Sequence, residues 1–315
     1  MLKPLSRLSS VVPALSLALS LAFGLSLAPA GAEPIRIGMG VDPSHSPFFV
    51  ANQRGLFKKA GLDVNLVRFT QGGEAVDALV AGQLEFAEAA DQTMMIRMAR
   101  GSLLPLAIFS ESGRIIKLAV NSRISDIKDI KKFGIVKGSV SEYSTIMALK
   151  KAGIDPKSVQ MVPAGPAEMP ALLVRGDIDG YFLWEPWPAL GVKQGGKVLM
   201  TSGEGGYSYT MWLTTTPTYY ASHKSDVEKI LAILKEADEI ITSDMEAAAK
   251  DVNAQIKVPL ADVLAILKET TWKVRDFTPV DIANYQGVAQ FLADNKATPA
   301  VLDVRALVKP GFVTE

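Results

Sequence analysis

The sequence predicts an α/β fold built as two units, followed by a helical C-terminal region. Three observations predict it. Short β-like runs alternate with helical patterns over residues 35–120, and the alternation resumes over 133–183. That rhythm marks βαβ units with mainly parallel strands flanked by helices. Helical periodicity alone then dominates residues 225–292. No low-complexity linker divides the chain, so strands crossing between the units must form the boundary.

Each element has its own signal. Ile35-Arg36-Ile37 is a β run closed by Gly38. Ser46 before Pro47 predicts a helix cap with proline in the first turn. After Gly61, residues 62–67 alternate apolar and polar like a half-buried strand. Gly72 and Gly73 precede a helix with Ala75, Val76, Leu79 and Val80 on one face. Residues 84–87 form a strand, and Asp91 caps a helix carrying Met94, Met95 and Met98. Residues 104–109 and 115–120 are further strands. In the second unit, strands fall at 133–136, 159–162 and 181–183, with helices over 143–152 and 167–175 and a Gly138-Ser139 turn. Helices follow over 225–243, 260–271 and 280–292, with Pro259 and Pro279 where starts are expected. Crossings are placed near Leu118 and Thr210, so that 33–117 with 210–315 form lobe 1 and 118–209 form lobe 2.

Residues 1–32 read differently. Lys3 and Arg7 give a positive start, an apolar run follows over 11–27, and Ala30-Gly31-Ala32 is small at both positions a signal peptidase reads. This is the three-part pattern of a secretory signal peptide, cleaved near Ala32-Glu33. The chain has no Cys. It therefore lacks the residue that carries a lipid anchor, and it forms no disulfide although an exported compartment permits one.

The 33 basic and 33 acidic residues balance, leaving no basic field for nucleic acid and no polybasic membrane patch. Without Cys, and with 2 His far apart, neither a metal site nor a cofactor is expected. Gly38-Met39-Gly40 lacks the third glycine of a dinucleotide fingerprint. No phosphate-binding G-x-x-x-x-G-K-S/T loop, H-E-x-x-H motif or nucleophile elbow occurs. Asp177 and Asp179 read as structural carboxylates rather than an acid–base pair.

Four blocks carry a family resemblance. They are Arg54-Gly55-Leu56-Phe57-Lys58-Lys59-Ala60-Gly61-Leu62-Asp63-Val64, Val80-Ala81-Gly82-Gln83-Leu84-Glu85-Phe86, Lys137-Gly138-Ser139, and Arg175-Gly176-Asp177-Ile178-Asp179 followed by Trp184-Glu185-Pro186-Trp187. In this order and spacing the chain resembles the nitrate, sulfonate and taurine substrate-binding proteins of ABC importers. The resemblance implies a type II periplasmic-binding-protein fold, with two lobes joined by hinge strands that close on a ligand. It also implies a periplasmic location, a monomer, a small-molecule solute, and a membrane permease with its ATPase subunit as partners. One departure stands out: many relatives have a second Ser after Gly-Ser, where this chain has Val140, and the next hydroxyl is Ser141.

The candidate ligand residues sit where strands end. Gly138, Ser139 and Ser141 open a helix, whose first N–H groups lack internal partners and attract anions. The plainer reading is an N-cap. Trp184 is expected to wall the cleft, and Glu185 to take an ammonium or cap the next helix, because ligands collect beyond the carboxyl ends of parallel strands. Ser44 and His45, with Ser46, offer donors after the first strand, with Phe48 or Phe49 against an apolar part. Gln92 and Thr93 follow Asp91 at a helix start. Ser112 lies at the first crossing. Glu168 begins a helix, where a first-turn carboxylate is also favourable for the helix itself. Tyr207, with Tyr209 beside it, follows the Gly203-Glu204-Gly205-Gly206 stretch.

The reading is thus a binding protein for a small anionic organic solute, not an enzyme. The alternatives are a thiamine-pyrimidine-precursor binder or synthase-like enzyme of the same fold, in which His45 takes part in chemistry, and a periplasmic sensor subunit.

Overall fold

The computed structural model of the protein describes residues 33–313, so the expected signal peptide lies outside the described residues. Strands β1 (Ile35–Met39), β2 (Val64–Arg68), β3 (Phe86–Ala90) and β4 (Leu104–Ser112) come first. They are followed by β5 (Lys117–Asn121), β6 (Lys132–Ile135), β7 (Gln160–Pro163), β8 (Gly180–Leu183) and β9 (Gly196–Thr201). The last strands are β10 (Tyr209–Thr215) and β11 (Thr271–Arg275). They form a 6-stranded sheet in the order β11-β4-β10-β3-β1-β2 and a 5-stranded sheet in the order β7-β6-β8-β5-β9.

Both sheets are mixed rather than mainly parallel. β2-β1-β3 and β7-β6-β8 pair in parallel, each strand returning through a helix. The strands beside the passages between sheets, β4, β10, β5 and β9, pair antiparallel. A chain that must leave one sheet and come back enters each with reversed direction, which alternation of strand and helix signals does not reveal.

Four short helices, α1 (Ser46–Gln53), α2 (Leu56–Lys59), α3 (Gly72–Val80) and α4 (Asp91–Met98), connect the strands of the first sheet. α5 (Val140–Lys151), α6 (Met169–Arg175) and α7 (Trp187–Lys193) do the same for the second. The C-terminal helices are α8 (Pro217–Ser222), α9 (Lys224–Ser243), α10 (Met245–Ile256), α11 (Leu260–Glu269), α12 (Pro279–Asp294) and α13 (Val304–Leu307). α9 buries Val227, Ile230, Leu231, Leu234, Ala237 and Ile241, the three- and four-residue spacing of one helical face. At α12, Thr278 and Asp281 form a capping box, Thr278 N donating to Asp281 Oδ2 at 2.8 Å and Asp281 N to Thr278 Oγ1 at 3.2 Å.

Three elements depart from expectation. The helix expected through residue 271 ends at Glu269, because Thr271–Arg275 adds an edge strand to β4; β-branched Thr270 and Thr271 suit that turn to extended backbone. α10 was unsignalled by periodicity, and is started by Asp244 accepting from Ala247 N at 3.0 Å. β9 completes the second sheet against β5.

The chain passes between the sheets over residues 113–116 and back over 202–208; Leu118 and Thr210 are the second residues of the strands that follow. The two passages bind each other: Gly203 N donates to Gly113 O and Ser202 N to Ile116 O, both at 2.8 Å. Among the described residues no helix is long and apolar enough to cross a membrane.

Candidate functional site

A cavity of about 50 Å³ lies where the two sheets face each other. The first sheet contributes the segments after β1 (Asp42, Ser44, His45) and after β2 (Gln71, Gly72, Gly73), the end of β3 (Ala89, Ala90), and Thr93 just beyond it. The second contributes Ser139 and Val140 after β6 and Trp184 after β8. Ile116, Tyr209 and Met211 come from the passages and β10. The parallel strands of both sheets therefore deliver their carboxyl ends to one place, the usual ligand position in open α/β sheets.

Of the expected residues, the cavity brings together Ser44, His45, Thr93, Ser139 and Trp184. Each has a defined environment. Ser44 donates its hydroxyl to Asp42 Oδ1, and its backbone N–H reaches the same oxygen at 2.9 Å. His45 is nearly fully buried. Its Nε2 lies 3.2 Å from Asp42 Oδ2 and its Nδ1 lies 2.5 Å from Glu88 Oε1. Both ring nitrogens thus face carboxylates. This corrects the expectation that His45 donates to an anion or enters chemistry: no ring nitrogen is left for a ligand. A side chain at Gly40 would run into His45 Nε2, so only glycine at 40 admits the ring.

The charges here are coupled. Burial opposes the imidazolium, but Glu88 and then Asp42 outweigh it and raise His45 to about 10. Burial pulls the Asp42 carboxyl up, but His45 and Ser44 hold it below its ordinary value. Burial dominates at Glu88 and pushes its carboxyl up, against the pull of His45. Asp91, beneath the cavity, is raised by burial to about 6 although four donors favour its charge: Tyr207 OH, Gln92 N at 2.6 Å, and Thr210 N and Oγ1 at 3.2 and 3.1 Å. Asp91 is thus not the expected cap, since Ala90 holds the N-cap position of α4; as the first residue of the helix it ties α4 to the returning passage.

The second wall is built differently. Ser139 Oγ donates to Val136 O at 2.7 Å and accepts from Ser141 N at 3.2 Å. Its one proton is already placed, so only its backbone and the hydroxyl lone pairs face outward. Trp184 is 8% exposed, and its indole N–H makes no hydrogen bond among the described residues. No Lys or Arg lines the cavity. Arg97 stands behind it, donating to Gly73 O at 3.1 Å and to Gly138 O at 3.0 Å. It clasps the N-terminal turns of α3 and α5 together.

The remaining expected residues lie off this cavity, each with a partner that explains it. Gln92 lines a neighbouring cavity. Ser112 Oγ donates to Glu269 O at 2.7 Å and accepts from Arg114 N at 3.0 Å, bracing the passage. Gly138 takes φ 67°, the left-handed region that favours glycine, and its N–H donates to Glu142 Oε2 at 2.8 Å. Ser141 Oγ accepts from Val136 N at 3.1 Å. Glu168 is exposed and caps its own turn through Gly165 N at 2.7 Å. Glu185, next to a cis bond to Pro186, accepts from Lys117 Nζ at 3.2 Å and Ala189 N at 3.1 Å. Tyr207 donates to Asp91. Ser46 donates to Pro43 O at 2.6 Å, and Phe48 and Phe49 are in the core. Asp177 and Asp179 pair with Arg175 and Arg123.

The cavity also holds residues that sequence reasoning did not carry forward. Tyr209 lines it, is 2% exposed, and its hydroxyl has no partner. Burial, and then the Asp42, Asp91 and Glu88 carboxylates, keep that hydroxyl protonated. It was weighed beside Tyr207, and the two differ only in what each meets. Gly72 and Gly73, opening α3 after a strand, repeat the Gly138-Ser139 pattern and were visible on the same grounds. Two helix starts, one from each sheet, therefore line the cavity: α3 and α5 (9 and 12 residues), whose first amides lack intrahelical partners and carry partial positive charge.

Comparison with known proteins places this architecture. The solved periplasmic aliphatic sulphonate binding protein SsuA from Escherichia coli superposes with a TM-score of 0.77 at 22% identity, covering 90% of this chain and 94% of that one. The fold is thus the two-lobe periplasmic-binding-protein fold. The taurine-binding periplasmic protein of Escherichia coli (strain K12) is 26% identical over 295 residues, 86% of this chain and 90% of the relative. A protein of Bacillus subtilis (strain 168), provisionally named an aliphatic sulfonates-binding protein, is 25% identical over 288 residues, 88% and 86% of the two chains. The model of the NMT1-like family matches residues 28–257, and the chain belongs to that family.

Proposed function

We propose that the protein is the periplasmic solute-binding component of an ABC importer, capturing a small anionic organic solute of the sulfonate class. The observation that carries this reading is the pairing of two helix starts across one small cavity, α3 from the first sheet and α5 from the second. A sulfonate head accepts hydrogen bonds from such amides without a counter-cation. A site that uses both sheets binds only when they approach, which couples capture to closure. The lobes hinge at residues 113–116 and 202–208, with 33–117 and 210–315 on one side and 118–209 on the other, to within those passages.

The cavity's size supports the same class. One water needs roughly 10–15 Å³ of such space, so about 50 Å³ suits a head group of a few heavy atoms. Trp184, Ile116 and Met211 supply apolar wall, and the unpaired Tyr209 hydroxyl and Trp184 N–H supply donors. The names of the relatives support transport rather than catalysis. Residues 1–32 support export, with cleavage near Ala32-Glu33. The monomer then delivers its solute to a membrane permease driven by an ATPase subunit.

A thermal-shift screen of the protein lacking residues 1–32, unfolded and refolded to strip carried-over solute, tests this. Taurine, alkanesulfonates, aromatic sulfonates, nitrate and carboxylates form the panel. A ligand at 100 times its Kd stabilises by about 2.7 kcal/mol. At about 2–4 °C per kcal/mol the midpoint rises by roughly 5–10 °C. A rise confined to sulfonates supports the reading; a rise with carboxylates or nitrate alone, and none with sulfonates, refutes it.

A further inference from the structure

A second cavity of about 100 Å³ lies between α4, α5 and α12. It abuts the first. Ser139 lines both, and the α4 start divides them, Thr93 facing the first and Gln92 the second. The two side chains are hydrogen-bonded, Gln92 Nε2 to Thr93 Oγ1 at 3.0 Å. By the same measure the second cavity is twice the first. The front cavity accepts a head group, and the chamber adjoins it at Ser139.

We propose that this chamber receives the tail of the solute and selects for a tail that carries no second negative charge and ends in a hydrogen-bond donor. The inference rests on the sulfonate reading above and adds which sulfonates are taken. Gln92 is fully buried, lines the chamber, and its Oε1 has no partner. If the amide is turned round, its N–H₂ is the unpaired end instead, so one end seeks a partner either way. A buried amide left unpaired is costly, and a ligand group that pairs with it recovers that cost. The Tyr143 hydroxyl, also on the chamber wall, makes no hydrogen bond among the described residues. Ile96, Ile146 and Phe291 give the rest of the wall an apolar surface. Glu142 is the one ionisable carboxylate on the wall and no Lys or Arg lines it, so a second anionic group is rejected while a neutral hydroxyl or amide is accepted. The wall also joins both sides of the molecule: Tyr143 of α5 packs edge-on against Phe291 of α12 at 4.8 Å. The chamber is therefore completed by closure, like the head site.

The test is calorimetric titration of the purified protein and two variants with methanesulfonate, butanesulfonate and 4-hydroxybutanesulfonate. Ile146→Phe fills the chamber from a half-buried position, and Gln92→Leu removes only the amide. In the unaltered protein, affinity rises from methane- to butane- to hydroxybutanesulfonate. Ile146→Phe weakens both four-carbon compounds by at least roughly tenfold and leaves methanesulfonate unchanged. Gln92→Leu abolishes the advantage of the hydroxyl, a factor of roughly ten, and leaves the other two compounds alone. Four-carbon compounds bound by Ile146→Phe as tightly as by the unaltered protein overturn the chamber. So does an equal loss of all three compounds in both variants, which marks a general effect on the fold. If no sulfonate binds the unaltered protein, the sulfonate reading itself fails and the tail assignment falls with it.

Discussion

The two walls of the cavity solve the problem of a polar pocket in opposite ways. On the first sheet, Asp42, His45, Glu88 and Asp91 bury ionisable groups that hydrogen-bond or ion-pair with one another and with the backbone. On the second, Ser139, Val140, Trp184 and Ile116 bring no ionisable side chain to the surface. The first wall uses its charges to hold loops in place; its free donors are backbone amides and the Tyr209 hydroxyl. The second offers an aromatic face and a helix start. Burying a carboxylate is tolerable only when it is paired or neutralised: Asp42 and Glu88 share the His45 imidazolium, and Asp91 is held by donors from Tyr207, Gln92 and Thr210. The lesson is that the residues richest in chemistry here hold the scaffold, and plainer ones line much of the cavity.

The largest expected effect tests the scaffold. His45→Leu leaves Asp42 and Glu88 buried without their cation, which destabilises by about 3–5 kcal/mol, or roughly 6–20 °C in Tm. Urea denaturation at pH 7 measures it, and Glu88→Gln in the same chain recovers part of the loss. The pH dependence has a definite sign. Folding raises His45 from 6.5 to about 10, so its contribution is complete below pH 6.5 and fades as pH rises through about 10. The gap between His45→Leu and the unaltered protein therefore narrows from pH 7 to pH 10; a gap that widens contradicts the buried ion pairs.

Next comes the opposite wall. Trp184→Ala lowers affinity for the bound sulfonate by about 2 kcal/mol or more, roughly thirtyfold in Kd by calorimetry. Equal loss of affinity from His45→Leu and Trp184→Ala would erase the distinction between the walls.

The neighbouring tyrosines sharpen it further. Tyr207→Phe removes a donor from buried Asp91 and costs about 1–3 kcal/mol of stability, with Kd little changed. Tyr209→Phe removes a hydroxyl with no partner among the described residues, so Tm holds or rises while binding weakens by about 0.5–1.5 kcal/mol. If Tyr209→Phe destabilises and binds normally, its hydroxyl serves the fold instead.

The smallest effect belongs to Ser139→Ala. The hydroxyl caps α5 and donates to Val136 O, so about 1 kcal/mol of stability is lost and Kd moves less than about threefold. A larger change in Kd would put the hydroxyl, rather than the backbone, on the ligand.

How much of this was legible is clear from particular residues. The Gly138-Ser139 turn and the Trp184 position followed from local pattern, because a strand feeding a helix exposes that helix start whatever else surrounds it. Gly72 and Gly73 obey the same rule. The fate of Ser139's proton was not legible, since a cap and a ligand contact share one sequence signature. Tyr207 and Tyr209 could not be told apart, because the deciding partner of Tyr207 is Asp91, 116 residues away. His45 looked like a loop histidine until Glu88, inside a fully buried strand, was placed against it.

The sequence by itself determined the alternation of strand and helix, the pair of α/β units, and the loops that reach the carboxyl edges of the sheets. These follow from backbone geometry and hydrophobic period, which act over a few residues. The tertiary structure decided the antiparallel passages, the edge strand β11, the burial of His45 between two carboxylates, and which hydroxyls remain unpaired. Those depend on groups brought together from distant parts of the chain, where burial raises the energy of every unpaired polar atom and so selects the partner each one takes.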